Sequence, residues 1–584
     1  ISIIIIVFLP LFTLEGVEGK LFSPMAYTIS FAMLGSLILA LTFVPVASSL
    51  LLKMGGSTEE PRFVRWLKNR YRPLLRRAVR YPVRVMGAAV VLLVASLALF
   101  PFLGSEFVPT LREGTFLVRA VLPPGASLPT AIDYASRVNE TLQEFDEVTG
   151  TFARVGRAEV GGDPEPVNAI ESFVTLKPLD EWEGDHDYEG LQSAMSERLA
   201  DAVPGLSLNF SQPIQLRTDE LLSGVRAQVV ASIYGADLDV LASKAEEIKE
   251  LIEQVDGAVD VRAQQQGGKP QILVRPDRRA LARFGISIDD FLNTVEIGIG
   301  GASLGQVFEG IRRFDVFLRL EKSQRTRIED IRRLPIQTGD GSVIPLSQVA
   351  DVEVFVGPKM ISRNKASRRT YVQLNVRGRD MGSVVDEIRQ LVKNNVELPP
   401  GYFVEYGGQF ENQQRAMKRL FVVVPLTMAL IFLMLFSTYG SIRYATLIFL
   451  NVPFAVIGGV FALFVSGMYL SVPAAVGFIA VFGVAVLNGV VMVSYINQLR
   501  DRGADLKEAV LQGAEHRLRP VLMTASVAVL GLVPLLLADD IGSNVQRPLA
   551  IVVVGGLVTS TLLTLVVLPS VYKWFAEPAR DVTL

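Results

Sequence analysis

The sequence predicts a polytopic α-helical membrane protein carrying a large α+β region of ferredoxin-like βαββαβ modules outside the membrane. Three observations predict it. The chain of 584 residues is 50% apolar yet 20% charged, with a mean hydropathy of +0.37, too apolar for an ordinary soluble protein and too charged to lie wholly in a bilayer. Seven runs of roughly 20 apolar residues match the thickness of a hydrocarbon core. Between the second and third runs lies a long polar block in which strand-like and helix-like periods alternate.

The first residues, ISIIIIVFLPLF (1–12), are too short to cross alone and read as the last part of a helix that begins upstream. A start inside an apolar run, without an initiator Met or a charged n-region, marks the chain as an internal piece of a longer protein. The seven spans are expected near 24–52, 83–103, 420–437, 443–465, 473–496, 520–538 and 548–572. Between the first two, ten Lys/Arg from Lys53 to Arg84 face only Glu59 and Glu60, so that loop is cytoplasmic by the positive-inside rule. Counting crossings from it puts 104–415 outside the cytoplasm. Arg443, Arg500, Arg502, Lys507, Arg517, Arg519 and the C-terminus then fall inside, in agreement with their charge. Residues 23–45 align without gaps on 547–569, matching Pro24 with Pro548, Ala26 with Ala550 and Pro45 with Pro569. Parallel repeats of this kind belong to transporters built from two related halves.

From residue 115 the external block reads strand, helix, strand, strand, helix, strand, each bounded by Gly or Pro, which is the split βαβ order. The order restarts at RAQVVASIYG with a helix, a hairpin flanking QQGGKP and a helix at DRRALARFG. It resumes at RRTYVQLNVRG with a helix and the strand YFVEYGG. The interruption, about 300–357, alternates like strands and suits a distal docking lobe.

Several chemistries are excluded. There is no cysteine for disulfides, thiolate zinc or iron–sulfur ligation, and no P-loop, G-x-S-x-G or HExxH. A net charge of −2 offers no attraction to nucleic acid. The two histidines, His186 and His516, sit in separate loops. Carboxylates are the better ligand candidates. Asp163 and Glu165 lie in the turn GGDPEPVN, Glu171 begins the next strand, and Asp219 with Glu220 follow the strand that ends SQP. A βαββαβ sheet can bring its third strand and the chain leaving its last strand to one cleft, which would gather these acids around a divalent cation. Oxygen ligands suit harder or borderline divalent ions rather than monovalent copper or silver. Met195, Met360 and Met381 are widely separated, which argues against a soft-metal site, and Arg119, Arg217 and Arg226 read as surface or ion-pair residues. In the membrane, Asn488 is the strong polar group of its helix and Thr524 follows in the next; such groups serve helix packing or a proton path.

At GFIAVFGVAVLNGVVMVSYINQLR, HRLRPVLMTASVAVLGLVPLLLA and VQRPLAIVVVGGLVTSTLLTLVVLPSVY, the sequence resembles the resistance-nodulation-division (RND) efflux pumps. EGKLFSPMAYTISFA, QPIQLRTDELLSG and FGVAVLNG make it most similar to the heavy-metal branch of the cobalt/zinc/cadmium type. The resemblance covers essentially the whole chain. It implies the RND transporter fold and a proton-coupled antiporter rather than an enzyme, with no cofactor and a divalent metal cation (zinc, cobalt, cadmium or nickel) as cargo. It further implies a homotrimer in the inner membrane with a large periplasmic region, joined to a periplasmic membrane-fusion adaptor and an outer-membrane channel. On this reading 1–53 is the end of the first half, 54–82 a basic cytoplasmic loop and helix, and 83–103 a span. Residues 104–221 form one porter module, 222–299 with 358–415 a second, and 300–357 the docking lobe. Five further spans occupy 416–576, and 577–584 is a cytoplasmic tail.

The three methionines of copper and silver pumps in this branch fall here at Arg119, Ala169 and Glu220, so the resemblance argues against those metals. Acidic positions of zinc-type relatives fall near Asp163, Glu171 and Asp219. Family pumps carry an ionisable residue where Leu487 stands, beside Asn488, while Arg517 and Thr524 match relay positions; the principal proton-carrying acids are then expected in the missing half. A multidrug pump of the same superfamily would need a large apolar, aromatic external pocket. A non-exporting accessory or protein-translocation component would need no carboxylate carrier.

Overall fold

The computed structural model describes residues 2–51, 61–109, 111–123, 125–156, 166–182, 186–264, 269–357, 360–538 and 542–576. Asp163, Glu165, Glu59, Glu60, the QQGG turn and the tail 577–584 lie outside the described residues.

The chain opens with two short helices, α1 (Ser2–Val7) and α2 (Leu9–Phe12), followed by α3 (Gly16–Leu41) and α4 (Phe43–Leu51). The expected first span is thus broken at Thr42. Pro45 has no N–H to donate to the Leu41 carbonyl, which interrupts the helical ladder there. The basic segment forms the strongly amphipathic α5 (Arg62–Arg80), which leads into α6 (Pro82–Leu99).

The first module contains β1 (Thr115–Val121), α7 (Leu128–Leu142), β2 (Val148–Val155), β3 (Ala169–Leu176), α8 (Tyr188–Ala202) and β4 (Ser207–Ser211). Its sheet order, β2-β3-β1-β4 and antiparallel throughout, is the ferredoxin-like arrangement. Alternation sends Phe116, Val118 and Val174 into the core beneath the helices. Ser127 and Asp187 cap α7 and α8. Met195 is fully buried here, whereas Met381 lies in the other module's core and Met360 is exposed. The chain then forms α9 (Pro213–Ser223), begun by Pro at its first position and ended by Gly224 in the left-handed region at φ 68°.

Next come β5 (Val229–Tyr234), α10 (Leu238–Ile252), β6 (Ala258–Ala263), β7 (Lys269–Pro276), α11 (Arg278–Arg283) and α12 (Ile288–Val295). They are followed by β8 (Ala302–Glu309), β9 (Arg312–Leu318), α13 (Ile328–Arg332), β10 (Pro335–Gln337), β11 (Val343–Pro345) and β12 (Ala350–Gly357). The block closes with β13 (Ser362–Asn364), β14 (Ser367–Val376), α14 (Met381–Asn395) and β15 (Phe403–Gly408). β6 and β15 flank the central β14 and β5, which repeats the topology of the first module.

The expected hairpin of β6 with β7 is corrected: β6 pairs with β14 and β7 pairs with β12. The boundary expected at 300 moves accordingly. Ala280, Leu281 and Phe291 pack with Ile331, Leu334 and Val352, so the inserted lobe has its own core and starts at β7. From it β8 and β9 project as a hairpin whose tip residue Ile311 is wholly exposed.

The membrane portion ends with α15 (Gln409–Tyr439), α16 (Ile442–Phe449), α17 (Asn451–Ser466), α18 (Val472–Asp501), α19 (Leu506–Leu537) and α20 (Ser543–Phe575). Among the described residues, seven helical stretches are long and apolar enough to cross a membrane. α18 is the most enclosed, with α17 and α20 beside it. Gly458 on α17 and Gly555 on α20 lie backbone to backbone, leaving no room for a side chain on either. Pro569 leaves the Leu565 carbonyl of α20 without its helical donor, and the buried Tyr71 hydroxyl of α5 donates to that oxygen at 2.6 Å.

Candidate functional site

On the first module's sheet, the face turned away from α7 and α8 carries charge. Register sets Glu171 of β3 opposite Arg119 of β1 on one side and Arg154 of β2 on the other. Glu171 is 3% exposed, and α9 packs against the neighbouring β1. Its carboxylate accepts from Arg154 Nε at 3.1 Å and from the guanidinium of Arg226, itself buried. Arg226 Nη2 also reaches Glu220 Oε1 at 3.2 Å, and Arg217 Nη1 reaches Glu220 Oε2 at 2.7 Å. The result is an alternating chain, Arg154–Glu171–Arg226–Glu220–Arg217. Buried charges of one sign are held only by such neighbours of the other.

Asp219 precedes Glu220 on α9, and the 100° step of a helix turns the two carboxylates apart. Asp219 is 2% exposed and its Oδ1 accepts from Gln409 Nε2 at 2.7 Å. Burial pushes its carboxyl up to about 7, with the Gln409 hydrogen bond acting in the opposite direction. Gln409 is the first residue of α15, the helix that runs into the apolar belt. Of the four predicted acids, the structure therefore brings Glu171 and Glu220 onto one guanidinium, while the Asp219 carboxylate is held separately by Gln409. Asp163 lies outside the described residues, and among those described no three acids or histidines converge as a metal cage.

His186 Nδ1 lies 3.2 Å from Glu147 Oε1, and His516 Nδ1 lies 2.9 Å from the Tyr495 hydroxyl, far apart in the chain and in different regions. In the bundle Asn488 is buried in α18 with no hydrogen-bond partner for its Nδ2 among the described residues. Arg517 stacks on the Tyr495 ring at 4.4 Å, while Thr524 Oγ1 donates to Val521 O of its own helix at 2.9 Å.

A model of the AcrB/AcrD/AcrF family matches residues 1–576. The chain belongs to the AcrB/AcrD/AcrF family. It has the fold of the RND family. It is 44% identical over 578 residues to a cation efflux system protein, CzcA, of Alcaligenes sp. (strain CT14), covering 98% of this chain and 54% of that protein. It is likewise 44% identical over 578 residues to the cobalt-zinc-cadmium resistance protein CzcA of Cupriavidus metallidurans (98% and 54%). A crystal structure of a heavy metal efflux pump superposes with a TM-score of 0.85 at 40% identity, over 98% of this chain and 58% of that one. The chain spans about half the length of the curated relatives it matches.

Within this AcrB/AcrD/AcrF-family chain, Arg217 and Arg226 form the ion pairs the sequence suggested, whereas sequence reasoning missed Arg154 and the helix that carries Asp219 and Glu220. Pro213 and Gly224 bracketing an 11-residue segment were the available signal for α9. It also missed Asn451, whose Oδ1 accepts from Thr564 at 3.2 Å within the bundle interior, beside Gly489 of α18.

Proposed function

We propose that this chain is the second-half portion of a proton-driven exporter of divalent heavy-metal cations (zinc, cobalt, cadmium or nickel). The observation that carries the reading is the pair Glu171 and Glu220 on the Arg226 guanidinium, with buried Asp219 next to Glu220 in α9, in a chain 44% identical to a cobalt-zinc-cadmium resistance protein. Asp163, Glu171, Asp219 and Glu220 supply the oxygen ligands. Arg154, Arg217 and Arg226 act as stand-in cations while the site is closed: a divalent ion entering the cleft takes over the Glu171 and Glu220 carboxylates and displaces the guanidiniums. Asp219, poised near neutrality, gives up its proton as the metal arrives. Asn488, Arg517 and Thr524 support a proton path whose carboxylates belong to the other half. Capture on the periplasmic side avoids moving two charges against the potential, worth about 2.3 kcal/mol per charge per ~100 mV.

The complete assembly is a homotrimer in the bacterial inner membrane. The modules are periplasmic, and the lobe from β7 to β12 docks toward the outer-membrane channel with a membrane-fusion adaptor alongside.

The test is growth of a metal-sensitive, pump-deleted Gram-negative host supplied with the complete reading frame, adaptor and channel. Wild type protects against the divalent metals, and an equally expressed variant with Asp163, Glu171, Asp219 and Glu220 all changed to Ala does not. Protection against a lipophilic dye alone, unchanged in the variant, would overturn the reading in favour of a multidrug pump.

A further inference from the structure

We infer that the junction of α5, α19 and α20 is a binding site for the phosphate of an anionic phospholipid. A cavity of about 570 Å³ opens there. Arg76 and Arg80 of α5, Lys507 of α19 and Lys573 of α20 rim it, and Val79, Leu506, Val510, Leu511 and Pro569 supply apolar wall. Among the described residues, no acidic side chain lines it. None of the four cations has an acidic partner among the described residues.

The contrast lies one turn away on the same helix. Arg72, Arg76 and Arg80 follow one another at four-residue intervals and so form a single stripe. Arg72 is neutralised by an ion pair with Glu515 of α19, and the adjoining hollow, which shares Arg76 and Lys507, also holds Asp505, Glu508 and Glu515. Beyond that hollow the acids stop and the cations continue. Four positive groups around an apolar floor, where two long apolar helices end, fit a headgroup phosphate with acyl chains running back along the helices. Inorganic phosphate shares the charge but has no use for the apolar wall. Tyr71 and Leu75 pin the buried side of α5, which keeps Arg76 and Arg80 at the cavity rim. Exposed Phe63 and Trp66 near the start of α5 add the aromatic contacts typical of a membrane surface.

Each lysine or arginine at an anionic bilayer surface is worth about fivefold in affinity. The experiment is native mass spectrometry of the full-length protein with dioleoylphosphatidylglycerol or dioleoylphosphatidylcholine. It compares wild type, a cavity variant (Arg76→Gln, Arg80→Gln, Lys507→Gln, Lys573→Gln) and an equally charged control (Arg62→Gln, Arg70→Gln, Arg77→Gln, Arg519→Gln). Wild type and control are expected to retain phosphatidylglycerol over phosphatidylcholine. The cavity variant should lose that preference by at least about tenfold, and a charge-keeping version (Arg76→Lys, Arg80→Lys, Lys507→Arg, Lys573→Arg) should restore it. Equal retention by cavity variant and control overturns the site. Displacement of the lipid by millimolar inorganic phosphate overturns its assignment to lipid, and failure of the charge-keeping version to restore the preference overturns the charge argument.

Discussion

Asp219 Oδ1 accepts a 2.7 Å hydrogen bond from Gln409 Nε2, and through it a buried acid of α9 is tied to the first residue of α15, a helix long and apolar enough to cross a membrane. Burial holds that carboxyl near pH 7, well above its unfolded value. Between about pH 4 and about pH 7 the folded state therefore keeps a proton that the unfolded state has lost. Stability falls as pH rises through that window and is level above it. Asp219→Asn removes this dependence. Thermal unfolding of the full-length protein across the window should show a falling Tm for wild type relative to the variant; parallel curves would sink the assignment. Divalent-metal affinity should move in the other direction, rising with pH through about 7 in wild type because binding releases the proton.

Arg226 bridges Glu171 and Glu220. Arg226→Gln leaves two carboxylates short of a cation, so the metal-free protein should lose on the order of 3 kcal/mol. Added zinc should return more stability to this variant than to wild type, since the ion no longer competes with a guanidinium. Unfolding midpoints with and without zinc measure both effects.

The Tyr71 hydroxyl satisfies the carbonyl that Pro569 leaves open. Tyr71→Phe should cost about 1–2 kcal/mol, the price of an orphaned buried acceptor, and should loosen α5. Hydrogen exchange over residues 62–80 should rise in the variant while exchange over β1–β4 stays as it was.

Gly458 and Gly555 let α17 and α20 touch. Gly458→Leu forces them apart, with an expected loss of about 1–3 kcal/mol or more and a drop in monodisperse protein by size-exclusion chromatography. Gly531→Ala, on α19 with open space where its Cβ would sit, controls for glycine loss elsewhere in the chain.

The parts legible in the sequence were those with a local period. Apolar runs of membrane length gave the seven spans, and strand–helix alternation gave the ferredoxin-like order of β1–β4. Pairing between distant strands was not legible: β6 and β7 are neighbours in sequence, yet β6 finds β14 and β7 finds β12, because alternation specifies a face and never a partner. Glu171, Asp219 and Glu220 could be singled out as unusual acids. Arg217 and Arg226 could be named as ion-pair candidates but not assigned to these acids, and Arg154 could not be named, since it reaches Glu171 only through sheet register. Asn451 was not singled out inside the expected span 443–465; the structure breaks that span and makes Asn451 the first residue of α17.

The most direct test of the central claim is cobalt(II) absorption spectroscopy on the full-length protein. Wild type should develop a ligand-field band that saturates and is displaced by zinc, and a variant combining Glu171→Gln, Asp219→Asn and Glu220→Gln should not. The same band, with the same affinity, in the variant would contradict a metal site built on these acids.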